Sequence, residues 1–278
     1  MTTGGTRLCC LIGDPVAHSL SPRMFSAIFS KLNMDYVYLA FRVRREDLGK
    51  ALEGLRAIGF VGCNVTMPHK IEVVKYLDRL DEMAQLIGSV NVVANRGGEL
   101  VGYNTDGAGV LASLDAEGVD VDNRRVLVVG YGGAARAVAF ELAMRRKPAE
   151  LLVVGRNQVR AAGLAEALGK TVRARAIALS QVETAEAEVI INATPAGMHP
   201  RVDESPLPEA VLRRGVAVLD LVYDPVETKL LRLAKEKGCK VVNGLETLVQ
   251  QGAMTFTIWT GQEAPIEEMR QAAREGLA

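Results

Sequence analysis

Short apolar, β-branched runs alternate along this chain with stretches whose apolar residues recur at helical spacing. That alternation predicts an α/β protein in which helices cover parallel strands. Residues 8–12, 36–43 and 61–65 read as strands, and 46–58 as a helix. Ser21-Pro22 reads as an N-cap with a first-turn proline, followed by Met24, Phe25, Ile28, Phe29 and Leu32 on one helical face. Helices are expected over 71–77 and 81–87. Residues 90–94 and 100–103 read as a strand pair turned by Gly97-Gly98. A helix near 106–117 leads into a second series: strands at 126–129, 151–154, 189–191 and 216–219, with helices running to 146 and to 168.

The stretch Asn64-Val65-Thr66-Met67-Pro68-His69-Lys70 stands out. A threonine N-cap and a first-turn proline predict that a helix starts here, with Lys70 in its first turn. The helix dipole disfavours a cation at that position, so Lys70 is a candidate for chemistry. Neighbouring helical positions point about 100° apart, so His69 and Lys70 do not both reach one atom, and Lys70 is the preferred proton donor.

In the second series, Gly130-Tyr131-Gly132-Gly133-Ala134-Ala135 follows a strand and opens a helix. This G-x-G-x-x-A turn is the context for a dinucleotide: Gly130 for the turn, Gly132 for close approach of a pyrophosphate, Ala135 for tight packing. Amides at the helix start would hold the phosphates. About 20 residues further on, an NAD site offers an acidic residue to the ribose. Here Gly155-Arg156-Asn157-Gln158-Val159-Arg160 supplies none. Arg156 and Arg160 suit a 2′-phosphate instead, which favours NADP over NAD.

At 278 residues, 49% hydrophobic and 24% charged, the chain can bury two domain cores. Its formal net charge of zero argues against nucleic acid or an anionic membrane as partner. Cys9, Cys10, Cys63 and Cys239 form no C-x-x-C pair and there are three histidines, so neither a metal site nor a disulfide framework is expected. No signal peptide or membrane span is read, and a cytoplasmic protein is expected. A homodimer is left open.

Polar clusters at Ser19–Pro22, Asn64–Lys70, Gly102–Gly107 and around Asn91 fall at expected strand ends and suit a polyhydroxylated ligand. With the segments Gly13 to Pro22, Asn64 to Lys70, Asn104 to Gly107, Asn192 to Met198, Asp220 to Pro225 and Asn243 to Gln251, the chain resembles the shikimate dehydrogenase family. The resemblance implies NADPH-dependent, reversible reduction of 3-dehydroshikimate to shikimate in aromatic amino-acid biosynthesis. It implies Lys70 and Asp106 as the catalytic pair, and Ser19, Ser21, Thr66, Asn91, Tyr223 and Gln251 as substrate contacts. It adds Asn157, Asn192, Ala193, Thr194, Leu221, Gly244 and Glu82 to the cofactor residues Gly130, Gly132, Gly133, Ala134, Ala135, Arg156 and Arg160. It also implies a three-layer α/β substrate domain over 1–106, rejoined by 244–278, and a Rossmann-type NADP domain over 107–243. Two positions depart from the family: Gly155 stands where members usually have Asn, and Tyr131 replaces a small residue. An NAD-using quinate/shikimate dehydrogenase and a non-enzymatic ligand sensor are the rival readings; the missing acidic residue disfavours the first, and the presence of Lys70 and Asp106 the second.

Overall fold

The computed structural model describes residues 2–277. The chain forms two compact units. The first holds the described residues up to Thr105 together with Val249–Gly276, and the second is Asp106–Leu248 with Leu277.

The first unit runs β1 (Arg7–Gly13), α1 (Ser21–Lys31), β2 (Tyr36–Arg42), α2 (Leu48–Ala57), β3 (Gly62–Val65), β4 (Arg79–Leu80), α3 (Glu82–Ile87), β5 (Val92–Arg96) and β6 (Glu99–Tyr103). The strands form one sheet in the order β2-β1-β3-β5-β6-β4. β1 is parallel to β2 and β3, whereas β5 is antiparallel to β3 and to β6, so this sheet is mixed. Gly97 and Gly98 both take positive φ in the two-residue turn between β5 and β6, where glycine carries no Cβ penalty.

Most predicted elements lie within a few residues of their expected places. The segment around Lys70 does not. Lys70 lies in a turn, and only a short 3-10 helix follows, at Glu72–Tyr76. The Met67–Pro68 bond is cis. The Lys70 carbonyl accepts the Val90 amide at 2.7 Å, which takes it out of a helical ladder. Ser21 is likewise the first helical residue of α1 and not its N-cap, a place taken by Leu20.

The second unit holds α4 (Asp106–Ala116), β7 (Arg125–Val129), α5 (Gly133–Arg145), β8 (Glu150–Val154), α6 (Gln158–Leu168), β9 (Ala174–Ile177), β10 (Val189–Asn192), β11 (Ala217–Asp220), α7 (Lys229–Glu236) and β12 (Lys240–Val242). Its sheet is wholly parallel, in the order β12-β11-β10-β7-β8-β9. The short strands β4, β9 and β12 and the helix α7 are not among the elements predicted from sequence. Apolar side chains are buried on both faces of this sheet, Leu127, Leu152, Ile190 and Val218 on one and Val128, Val153, Ile191 and Leu219 on the other, as a parallel sheet requires.

α8 (Gly244–Thr260) and α9 (Ile266–Glu275) end the chain. From Val249 onward they belong to the first unit. There Phe25 stacks on Tyr38 at 4.6 Å and lies 5.3 Å from Trp259, whose indole N–H donates to the Val93 carbonyl at 3.0 Å. Gly62 makes room for that indole: a Cβ there would stand 2.2 Å from Trp259 Nε1 and 2.5 Å from the Val93 oxygen. Gly54, on the exposed side of α2, has open space around it. Gly62→Ala is therefore expected to lower stability by about 1–3 kcal/mol, while Gly54→Ala raises it by roughly 0.5–1 kcal/mol. Urea unfolding midpoints of the two variants check both signs.

Candidate functional site

In the first unit the predicted ligand residues gather at one end of the sheet. β1 and β3 are parallel and finish there, and β5, antiparallel to β3, begins there. The loop after β1 and the loop after β3 touch: the Asp14 amide donates to the Met67 carbonyl at 2.8 Å, and a Cβ on Gly13 would lie 2.3 Å from the Thr66 methyl. Glycine at 13 thus lets the start of the loop that leads to Ser19 and Ser21 approach Thr66 closely. Ser19 Oγ accepts the Ser21 amide at 3.3 Å.

Asn91 is the hub of this end. Its side-chain oxygen Oδ1 accepts the Thr105 amide at 2.8 Å, and its NH2 donates to Thr105 Oγ1 at 3.0 Å and to Gln251 Oε1 at 3.3 Å. All three residues are buried. Asn64 extends the network, donating to the Asn91 carbonyl at 3.3 Å and accepting the Tyr38 hydroxyl at 2.8 Å. Val90 and Asn91 then hold the backbone at or beside the two candidate catalytic residues. Lys70 is held through its carbonyl by Val90, and Asp106 follows Thr105, the residue Asn91 grips. Asp106 is buried and opens α4, where its carboxylate suits the helix dipole. Lys70 is partly exposed. His69, by contrast, is fully buried, and its Nε2–H donates to the Val43 carbonyl at 2.8 Å. That bond commits the imidazole to the core, a firmer reason to set His69 aside than the helical angle.

In the second unit the strand order reverses between β7 and β10, the place where open parallel sheets bind ligands. Gly130 closes β7 with φ +120°, a conformation that favours glycine, and its missing Cβ leaves room for the Ala193 oxygen and Thr194 methyl, 3.1 and 3.2 Å from where it would stand. Gly132 is extended and faces open space. It precedes α5, whose start has no side-chain cap. An uncapped helix start with a bare approach fits a pyrophosphate. Ala135 is buried and Gly133 and Ala134 are partly exposed. Asn157 caps α6 by accepting the Arg160 amide at 3.0 Å, which sets Arg156 just before the helix and Arg160 in its first turn, both exposed. The residues present therefore fit a dinucleotide carrying a 2′-phosphate.

Asn192, Ala193 and Thr194 leave β10 together. Asn192 Oδ1 accepts both the amide and the hydroxyl of Thr194, at 3.0 and 2.7 Å. Its NH2 donates to Asp220 Oδ1 at 2.9 Å. The Leu221 amide donates to the Asn192 carbonyl at 3.0 Å, and a Cβ on Gly244 would stand 2.4 Å from the Leu221 oxygen. Leu221, Gly244 and the Asn192 segment therefore form one contiguous edge. Tyr223 also lies in this unit, whereas Glu82 lies in the first, exposed in the first turn of α3.

Sequence reasoning gave no role to Asp220. It is fully buried and accepts from Asn192, from Thr228 Oγ1 at 2.7 Å and from the Val222 amide at 3.0 Å. The readable signal was a single carboxylate closing an apolar strand.

These features define a dinucleotide-binding α/β protein joined to a second unit rich in buried amides and hydroxyls. The family model for the shikimate dehydrogenase substrate binding domain matches residues 11–93, that for shikimate / quinate 5-dehydrogenase matches 111–235, and that for the shikimate 5'-dehydrogenase C-terminal domain matches 244–274. The chain is 46% identical to the shikimate dehydrogenase (NADP(+)) of Moorella thermoacetica, over 98% of this chain and 94% of that one. A shikimate dehydrogenase solved with NADP+ superposes with a TM-score of 0.93 at 41% identity, covering 100% of this chain and 98% of the other. The Thermus thermophilus enzyme, solved with NADP(H) and shikimate, gives 0.89 at 39% identity over 98% and 100%. The chain belongs to the shikimate dehydrogenase family. Among the described residues no helix is long and apolar enough to cross a membrane.

Burial raises the Asp220 carboxyl to about 6, despite the three hydrogen bonds that favour its charged form. A carboxyl raised in the fold stabilises the protein below its unfolded value near 4, and that contribution is lost as pH rises through about 6. The stability of Asp220→Asn relative to the parent is expected to rise from pH 4 to pH 7, by an amount on the order of 3 kcal/mol. Urea denaturation of both proteins across that range checks the sign.

Proposed function

We propose that this chain catalyses the reversible NADP-dependent reduction of 3-dehydroshikimate to shikimate, with Lys70 and Asp106 as its catalytic pair. The observation that carries the reading is the common anchor at Val90–Asn91: the Val90 amide holds Lys70 through its carbonyl, and the Asn91 side chain grips the amide of Thr105, beside Asp106. In a family of NADP-dependent dehydrogenases, that anchor serves to fix a proton donor and its orienting carboxylate. NADPH supplies the hydride to the substrate's carbonyl carbon. Negative charge then builds on the carbonyl oxygen, and Lys70 stabilises it and delivers the proton. Asp106 orients the ammonium and accepts from a substrate hydroxyl.

Ser19, Ser21, Thr66, Asn91, Gln251 and Tyr223 contact the substrate in this proposal. Hydroxyl and amide groups both donate and accept, which matches a ring bearing several hydroxyls. The glycine turn and Ala134-Ala135 receive the pyrophosphate, with Arg156, Asn157 and Arg160 at the 2′-phosphate. Asn192, Ala193, Thr194, Leu221 and Gly244 border the nicotinamide, and Glu82 is a neighbour of the cofactor. Residues 1–106 and 244–278 form the substrate domain and 107–243 the NADP domain. The buried free thiols Cys9, Cys10 and Cys63 suit work in the reducing cytoplasm.

Lys70→Ala is expected to lower kcat by about 10²–10⁴-fold while changing KM far less; a variant with near-parental kcat rejects Lys70 as proton donor. Steady-state rates with shikimate are expected to favour NADP over NAD by tenfold or more in kcat/KM. A preference for NAD overturns the assignment of the two arginines.

A further inference from the structure

Tyr131 and Gly155, the two departures from the family, occupy one spot. The β7–β8 register pairs Val129 with Val154, and the Gly130 amide donates to the Val154 carbonyl at 2.8 Å. The residues just beyond these strand ends are therefore neighbours. The Tyr131 ring lies across Gly155: a Cβ there would stand 2.6 Å from both Cδ1 and Cε1. No side chain at 155 coexists with the ring where it now lies. The guanidinium carbon of Arg160 sits 4.9 Å from the centre of the same ring, within cation–π range. Arg160 lies in the first turn of α6, where the helix dipole repels a cation, so the ring is the attraction that holds it there.

We propose that Tyr131 is a positioning residue for cofactor selection. Its ring fills the space vacated at Gly155 and pins the Arg160 guanidinium for the 2′-phosphate of NADP. A long, exposed arginine otherwise samples many rotamers, and stacking on a ring reduces that freedom before the anion arrives. The proposal rests on the reading of this unit as an NADP site and adds a residue to which that reading gave no part.

Isothermal titration of NADP+, NAD+, adenosine 2′,5′-bisphosphate and 5′-AMP into the purified full chain tests it without turnover. Tyr131→Leu is expected to weaken NADP+ and the bisphosphate by about two- to fivefold and to shift NAD+ and AMP by less. Tyr131→Phe keeps the ring and the parental ratio. Gly155→Ala displaces the ring and weakens the phosphorylated ligands as Tyr131→Leu does, and the two changes together weaken them no further than either alone. Melting temperatures of the unliganded variants show that each is folded. If the parent binds NADP+ no tighter than NAD+, the cofactor reading falls and this proposal with it. If the parent prefers NADP+ and Tyr131→Leu keeps the full preference, or loses affinity for all four ligands equally, the proposal alone is overturned.

Discussion

The buried carboxamide of Asn91 is the interaction on which the first unit's site depends. It uses its oxygen and its NH2 together, so three chain segments far apart in sequence meet at one side chain. A buried amide left unpaired costs about 1–3 kcal/mol, so each bond also enforces the position of its partner. Thr105 cannot move without leaving Asn91 unsatisfied, and Gln251 is drawn in by the same requirement. Of the residues named for chemistry, Asp106 directly follows Thr105, and the Lys70 carbonyl is held by Val90, the neighbour of Asn91.

The second unit applies the same logic to a charge. Asp220 is held by three donors, one of them the Asn192 side chain that also organises Thr194. The strand ends at the switch point are therefore locked by a buried carboxylate, not by apolar packing alone. A hydrophobic residue at 220 would be easier to bury but would leave the Thr228 hydroxyl and the Val222 amide without this acceptor, and Asn192 with only its long bond to the Ala196 carbonyl.

Most of this architecture was legible in the sequence because parallel strands buried on both faces are written as continuous apolar runs, and the glycine turn follows one of them. What escaped has a physical cause in every case but α7. β9 is an edge strand whose Arg175 points to Glu150, so its pattern is broken by charge. β4 and β12 are too short to show a period. α7 carries leucines at helical spacing behind a Thr228 cap and was readable on those grounds. The helix expected at Lys70 failed because a carbonyl found a partner in Val90, far along the chain, and local propensity cannot see such a bond. For the site, the motif residues were visible one by one. The meeting of Tyr131 with Gly155 was not, since it exists only once β7 and β8 lie side by side.

The division of the chain has a consequence for its synthesis. Apart from Leu277, the second unit is made once Leu248 has been added, whereas the first still lacks the segment carrying Phe256 and Trp259. Domains emerging from a ribosome usually finish in order from the N-terminus. Here the order is inverted: the unit that begins the chain is the last whose core can close, and its aromatic cluster waits for the final stretch of the chain.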